Sequence, residues 1–234
     1  MSLSKRTISV IVGGAIVVAL GVTTAIAGPA IYRDLIVGPA DDAPSLEAES
    51  LAPGTIDEDA LAGEWTVSDG SFAGYRVDEV LNGTDVTVTG RTEDVTGTVT
   101  TTDTEVTAAS ITVDVASIAT DSGSRDAYFR DTAMRVSVHP TATFELTTPI
   151  GGGGAPLDTT ATVSGTGVLT LAGVSNEVTV EMTAAIDGGT IRVAGQIPVT
   201  FSDYGVTAPS LGFVQVEETG FVEFLLVLSP GPRT

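Results

Sequence analysis

Ile118-Ala-Thr-Asp-Ser-Gly-Ser-Arg-Asp-Ala-Tyr-Phe-Arg130, followed after a short gap by His139-Pro-Thr-Ala-Thr-Phe144, is the stretch whose reading decides the fold. On both sides of it the chain alternates small polar and apolar residues, mostly Thr and Val. A pure sheet has no use for such a break. Within it Ala127, Tyr128, Phe129, Ala133 and Met134 recur near helical spacing, and Arg125, Arg130 and Arg135 step by five. Ser124 is placed to cap the start of a short helix. The pattern predicts a helical lid set between two runs of strands, across one end of a β-barrel.

The flanking runs have period two. Asp85–Arg91, Val95–Thr100, Ala108–Val115, Val163–Leu171, Glu177–Met182 and Ile191–Ile197 each alternate, which gives one wet and one apolar face. Turn signals separate them: Asn82-Gly83, Gly151 to Gly154, Gly173 and Asp187-Gly-Gly189. Phe221–Leu228 is the most apolar run and is predicted to be the closing strand. About eight antiparallel strands with short connections imply an all-β domain, an up-and-down barrel or else a sandwich. Periodicity alone does not separate the two. Gly90, Gly97, Gly165, Gly167 and Gly195 fall inside strands, where bends, bulges or room for an occupant would explain them.

The amino-terminal part reads differently. Residues 1–7 hold Lys5 and Arg6, and Ile8 to Ala27 is uncharged. Twenty such residues at ~1.5 Å each cross a ~30 Å hydrocarbon layer. The basic flank predicts a cytoplasmic N-terminus and an extracytoplasmic domain held at the cell membrane. A cleaved signal peptide ending at Ala25-Ile-Ala27 is the rival, and the longer apolar run favours a single-pass transmembrane helix over 8–28. Residues 29–62 carry Pro39, Pro44, Pro53 and many acids, and read as an extended, poorly ordered linker. The barrel domain is expected over 63–230.

The chain has 10 Lys and Arg against 30 Asp and Glu, a net charge of −20. Three of the basic residues, and one acid, lie before Val37, so the exported part is the more acidic. Such a surface repels nucleic acid, which is excluded as a partner. There is no cysteine, which removes disulfides and thiolate metal sites. No zinc spacing and no phosphate-binding glycine motif is present. The acids around Asp57 and Asp103 read as solvated loops and not calcium sites. Asn82-Gly-Thr84 is formally a glycosylation sequon, but a hairpin turn is the reading preferred. His139, the one histidine, precedes Pro140 at a strand entrance, so a structural role outweighs catalysis.

Several weak motifs in order carry a resemblance: Trp65-Thr-Val, Ser71–Val77, Val95-Thr-Gly97, Ile118-Ala-Thr120, Arg125-Asp126 with Tyr128-Phe129, His139–Phe144, Gly165–Val174 and Phe201–Val206. Together they resemble the YceI-like family of lipocalin-like proteins, across about Gly63 to Leu228. The anchor, Gly28-Pro29 and the acidic linker are similar to its actinobacterial branch. The chain departs from the family at Val77-Asp-Glu-Val80, where many members have histidine. It departs again at Tyr128-Phe129, where His-Leu is frequent, and at Met134-Arg-Val136, where a phenylalanine pair is usual. The resemblance implies a lipocalin-like barrel whose cavity holds a polyisoprenoid or similar amphiphile, such as an isoprenoid quinone. No cofactor beyond that lipid is implied. Phe72, Tyr75, Phe129, Phe144, Phe201 and Phe224 are expected to face inward, as cavity lining or as core. Tyr128 is placed beside them at the lid, and Arg125 and Asp126 either orient a headgroup or fix the lid, as an ion pair or through a carboxylate that accepts backbone N–H groups. A lipid-binding module tethered to the membrane is the leading expectation. A solid-core envelope interaction domain is the alternative, an enzyme is the weakest reading, and a homodimer is compatible with the sequence.

Overall fold

The structure is a computed structural model, and it describes residues 40–47, 51, 61–81, 83–151, 160–210, 212 and 214–231. Eleven strand segments are formed: β1 (Gly63–Val67), β2 (Phe72–Leu81), β3 (Thr84–Thr92), β4 (Val95–Thr101), β5 (Glu105–Asp114), β6 (Thr141–Leu146), β7 (Ile150–Gly151), β8 (Ala161–Leu171), β9 (Val174–Asp187), β10 (Thr190–Thr200) and β11 (Val214–Pro230). All pairings between them are antiparallel. The segments make eight long strands, because three strands are each interrupted once. β1 and β2 run along the same side of β11, with Val67 opposite Leu228 and Phe72 opposite Leu225. β3 and β4 form one partner to that pair, and β6 and β7 both lie along β5.

Each strand pairs with the next in sequence, and β11 returns to β1 and β2, so the sheet closes. That closure decides for the barrel over the sandwich, which the alternation could not. The Phe221–Leu228 run lies in β11 and does close it. Where the first strand breaks, the Ser71 hydroxyl accepts the Val227 N–H at 2.9 Å and donates to the Ser68 carbonyl at 2.7 Å. A side chain thus replaces the missing ladder bond, as a buried backbone amide requires.

Period two sorts the faces. Trp65, Ala73, Val95, Val99, Ile111, Leu226 and Leu228 form one buried cluster inside the barrel. Leu169, Val180, Ile197, Val199 and Tyr204 form a second. Phe144 and Phe224 pack against both. The strand glycines take their meaning from inward rings on neighbouring strands. A Cβ on Gly167 would stand 2.4 Å from Phe144 Cζ, and one on Gly90 would stand 2.5 Å from Tyr75 Cε1. These glycines make room for aromatic rings lying flat against the wall.

The chain leaves β5 through a 3-10 turn (Val115–Ser117) and forms α1 (Gly123–Tyr128), then one π-turn (Phe129–Ala133), before β6. This is the lid, and its short helix is the one the helical spacing predicted. It sits at the barrel end that also holds the β2–β3 and β8–β9 hairpin turns, hereafter the lid end. Ser124 does not cap it: Ser122 holds the N-cap and makes no side-chain cap bond. Asp126 does the fixing, accepting the Thr120 N–H at 2.9 Å and the Thr120 hydroxyl at 2.7 Å.

The transmembrane helix expected over 8–28, the Gly152–Gly154 part of the glycine loop, Asn82 and most of the linker lie outside the described residues. Among the described residues no helix is long and apolar enough to cross a membrane. Within the described residues 40–47, Asp41 and Asp42 lie against the outer wall, where their carbonyls accept from Arg76 and Arg91.

Candidate functional site

The lid end gathers the polar groups. On β2, Ala73, Tyr75, Val77 and Glu79 share the inward face, because Ala73 and Val77 belong to interior clusters and the period is two. Glu79 is therefore a carboxylate inside the barrel, with 6% of its side chain exposed. Burying such a group unpaired would cost several kcal/mol. It is met by Arg125 from α1, whose Nη2 lies 3.2 Å from Glu79 Oε1. The other arm of Arg125 reaches Asp121, one turn back. Asp126, buried beside them, is occupied by Thr120.

Tyr75 stands on the same wall, two inward positions nearer the centre, beyond Val77. Its ring stacks on Phe129 with centroids 4.8 Å apart and planes 22° from parallel. Burial pushes the Tyr75 phenol well above its ordinary range; Arg125 pulls against this, and Asp126, Glu79 and Asp121 add to it. Tyr75 thus stays a neutral hydroxyl at physiological pH. Around the Tyr75 phenol stand three carboxylates, Glu79, Asp121 and Asp126, and one guanidinium, which Glu79 and Asp121 share. This surrounding offers hydrogen-bonding groups without a surplus positive charge.

Below this lies the apolar interior. Phe144, Met182, Val193, Val222 and Phe224 point inward from the middle of their strands, yet stay partly exposed. In a barrel filled by its own side chains, such positions are fully covered. Phe201 caps this region from the 3-10 turn after β10 (Phe201–Tyr204), packing with Val77, Val86 and Val88.

Of the aromatic residues expected inside, Tyr75, Phe129, Phe144, Phe201 and Phe224 are inside. Tyr128 ends α1, partly exposed. Phe72 is the correction: it lies on the outer face, with the Arg91 guanidinium 4.5 Å above its ring. Phe72 and Tyr75 are three residues apart on one strand, so period two puts them on opposite faces. Arg125 pairs with Glu79 and Asp121 and not with Asp126, whose carboxylate accepts the Thr120 N–H instead. His139 packs its ring into the β8–β9 turn, where a Cβ on Gly173 would stand 2.3 Å from its Cε1. Among the described residues no three His, Asp or Glu side chains converge to hold a metal.

Two sites were not singled out from sequence. Glu79 is one, and its signal was parity with Tyr75. The other is on the outer wall, where Glu223 of β11 is fully buried between Arg76 and Arg91. A charge with zero exposure on an outward position had no sequence signal beyond its alternation with Val222 and Phe224.

Residues 65–228 match the family model of the YceI-like domain. Among solved structures the chain is similar to a polyisoprenoid binding domain from Saccharophagus degradans, described as implicated in plant cell wall breakdown. The identity is 16%, over 73% of this chain and 99% of that one, with a TM-score of 0.57. It is also similar to BcnA of Burkholderia cenocepacia, at 23% identity over 65% of this chain and 95% of that one, with a TM-score of 0.51. At these identities the likeness speaks for the fold. No curated protein matches the chain significantly.

Proposed function

This chain belongs to the YceI-like domain family, and on that premise we propose that its barrel is an extracytoplasmic, membrane-tethered binding module for a polyisoprenoid or similar amphiphile with an uncharged polar head. What carries the reading is the set of inward, mid-strand apolar side chains that stay partly exposed: Phe144, Met182, Val193, Val222 and Phe224. They leave apolar surface in the barrel that a prenyl chain would cover. Each buried CH₂ of such a chain contributes roughly 0.8 kcal/mol.

The lid end supplies the head's environment. Tyr75 offers a neutral hydroxyl, and Glu79, Asp121 and Asp126 outnumber Arg125. A phosphate there would face uncompensated carboxylates, whereas a hydroxyl or quinone carbonyl would not. This favours an isoprenoid alcohol or quinone. The solved polyisoprenoid binding domain with this fold is in keeping with the reading. The tether rests on the sequence: Lys5 and Arg6 before the uncharged run Ile8 to Ala27 set an N-terminal anchor with the barrel outside. No catalytic role is assigned, because His139 is taken up by the Gly173 turn and Arg125 by its carboxylates.

The test is transfer from vesicles. Full-length protein is incubated with vesicles carrying a long-chain prenol, re-isolated, and its lipid counted. About one prenol per chain is expected, and Met182→Trp, which fills the interior, should abolish uptake while leaving the barrel folded. No uptake by the wild-type protein, or equal uptake by the filled variant, would favour the solid-core interaction domain.

A further inference from the structure

The outer wall carries a charged cluster that the lipid reading does not use. Glu223 on β11 points away from the interior, yet its side chain is 0% exposed. Its Oε2 accepts from Arg76 Nε at 3.0 Å, and its Oε1 accepts from Arg91 Nε at 2.8 Å and Nη2 at 2.7 Å. Arg91 in turn lies flat over Phe72. One carboxylate thus fixes two guanidiniums side by side and leaves their outer N–H groups facing away from the barrel.

Those N–H groups are occupied by the chain itself. Arg76 Nη2 donates to the Asp41 carbonyl at 2.6 Å, and Arg91 Nη2 donates to the Asp42 carbonyl at 2.5 Å. Arg91 Nη1 lies 3.6 Å from the Asp41 carboxylate. The Asp41 N–H donates to the Thr89 hydroxyl at 3.3 Å. Two successive backbone carbonyls and an acidic side chain therefore sit on a prearranged pair of arginines. The order of contacts also gives a direction. Asp41 meets Thr89 and Asp42 meets Arg91, so the segment runs along β3 from the lid end toward the opposite end, where Gly63 begins β1.

We propose that Arg76, Arg91 and Glu223 form a latch that binds the acidic segment 40–47 with its Ala40 end toward the lid end of the barrel. The consequence for the tether rests on the anchor reading given above. With the latch closed, about a dozen residues separate the span ending near Gly28 from the wall, a reach of roughly 40 Å at most. With it open, the free linker extends to Gly63, with a reach of roughly 115 Å. The latch thus keeps the lid near the bilayer from which an amphiphile would enter. Being built on partly exposed arginines, it weakens as salt rises.

The experiment uses the full chain, which has no cysteine of its own. Nitroxides are placed at Ala43→Cys and Thr98→Cys, the latter outward on β4 some seven residues beyond Arg91. Electron–electron distances are then measured in detergent at low salt. The latch predicts one narrow distribution on the order of 20 Å, from about 3.3 Å per strand residue. It should broaden severalfold in Arg76→Met/Glu223→Leu/Arg91→Met, which removes the whole cluster without stranding a charge. Asp41→Pro deletes the N–H to Thr89 and the carboxylate facing Arg91 without touching the barrel, and should also broaden it. That variant decides the matter if the triple variant misfolds. A broad distribution in the unaltered chain, or a narrow one that survives Asp41→Pro in a folded barrel, overturns the latch.

Discussion

The Glu79–Arg125 pair joins the barrel wall to the lid, and breaking it from one side should cost more than removing it whole. Arg125→Met leaves Glu79, with 6% of its side chain exposed, without its guanidinium. Removing one partner of a fully buried pair costs ~3–5 kcal/mol. Arg125 itself is 21% exposed, so solvent screens part of this, and about 2–3 kcal/mol is expected. Glu79→Met strands less, because Arg125 keeps Asp121; about 1 kcal/mol is expected. The double variant should sit near the milder single one, a coupling of about 2 kcal/mol. For a domain of this size Arg125→Met should lower Tm by roughly 5–10 °C. The assay is equilibrium urea unfolding followed by Trp65 fluorescence. Trp65 is the sole tryptophan and is 2% exposed in β1, the strand that β11 meets to close the sheet, so it reports the barrel directly. If the double variant loses the sum of the two singles, the pair is not coupled and the reasoning about the lid fails.

Four further outcomes follow from the geometry. Glu79→Gln removes one negative charge at the mouth; at ~6–8 Å and an effective dielectric of about 20 this is worth roughly 2–3 kcal/mol. A prenyl phosphate should then gain ~30–100-fold against the matching prenol in competition from vesicles, and an unchanged ratio would place the head elsewhere. Tyr75 gives a pH dependence. Its folded pKa is raised, so its contribution is full below the unfolded value of about 10 and is lost as pH rises through the folded value. Urea stability should decline above pH ~10, less steeply in Tyr75→Phe, and equal slopes would contradict this. Gly167→Ala places a Cβ 2.4 Å from Phe144 Cζ and should cost about 1–3 kcal/mol by thermal unfolding. Gly173→Ala meets both a φ of 82° and the His139 ring; His139→Ala should relieve the second part of that loss, and no relief would show that the ring yields freely.

The barrel was legible because its signal is local and repeated. Alternation, turn glycines and the break at Ile118–Arg130 each reflect a residue's own strand or turn. Closure was legible only as a bias, since it depends on β11 meeting β1 and β2 across most of the chain. Single-residue placement on β2 was less well read than its parity allowed. Tyr75 inward forces Phe72 outward and Glu79 inward, and neither step needs coordinates. The Arg76–Glu223–Arg91 cluster was beyond sequence reasoning, for it joins three strand positions with a linker segment that composition describes only as acidic. Composition predicts a solvated coil there; two arginines already held in place by Glu223 lower the entropic cost of ordering it.

The most direct test of the central claim is native mass spectrometry of the protein as exported by its host, followed by organic extraction of what is released. The account predicts a near-stoichiometric apolar mass of isoprenoid type, without phosphate. A clean apo mass under gentle conditions, from protein whose Trp65 signal reports a folded barrel, would contradict it.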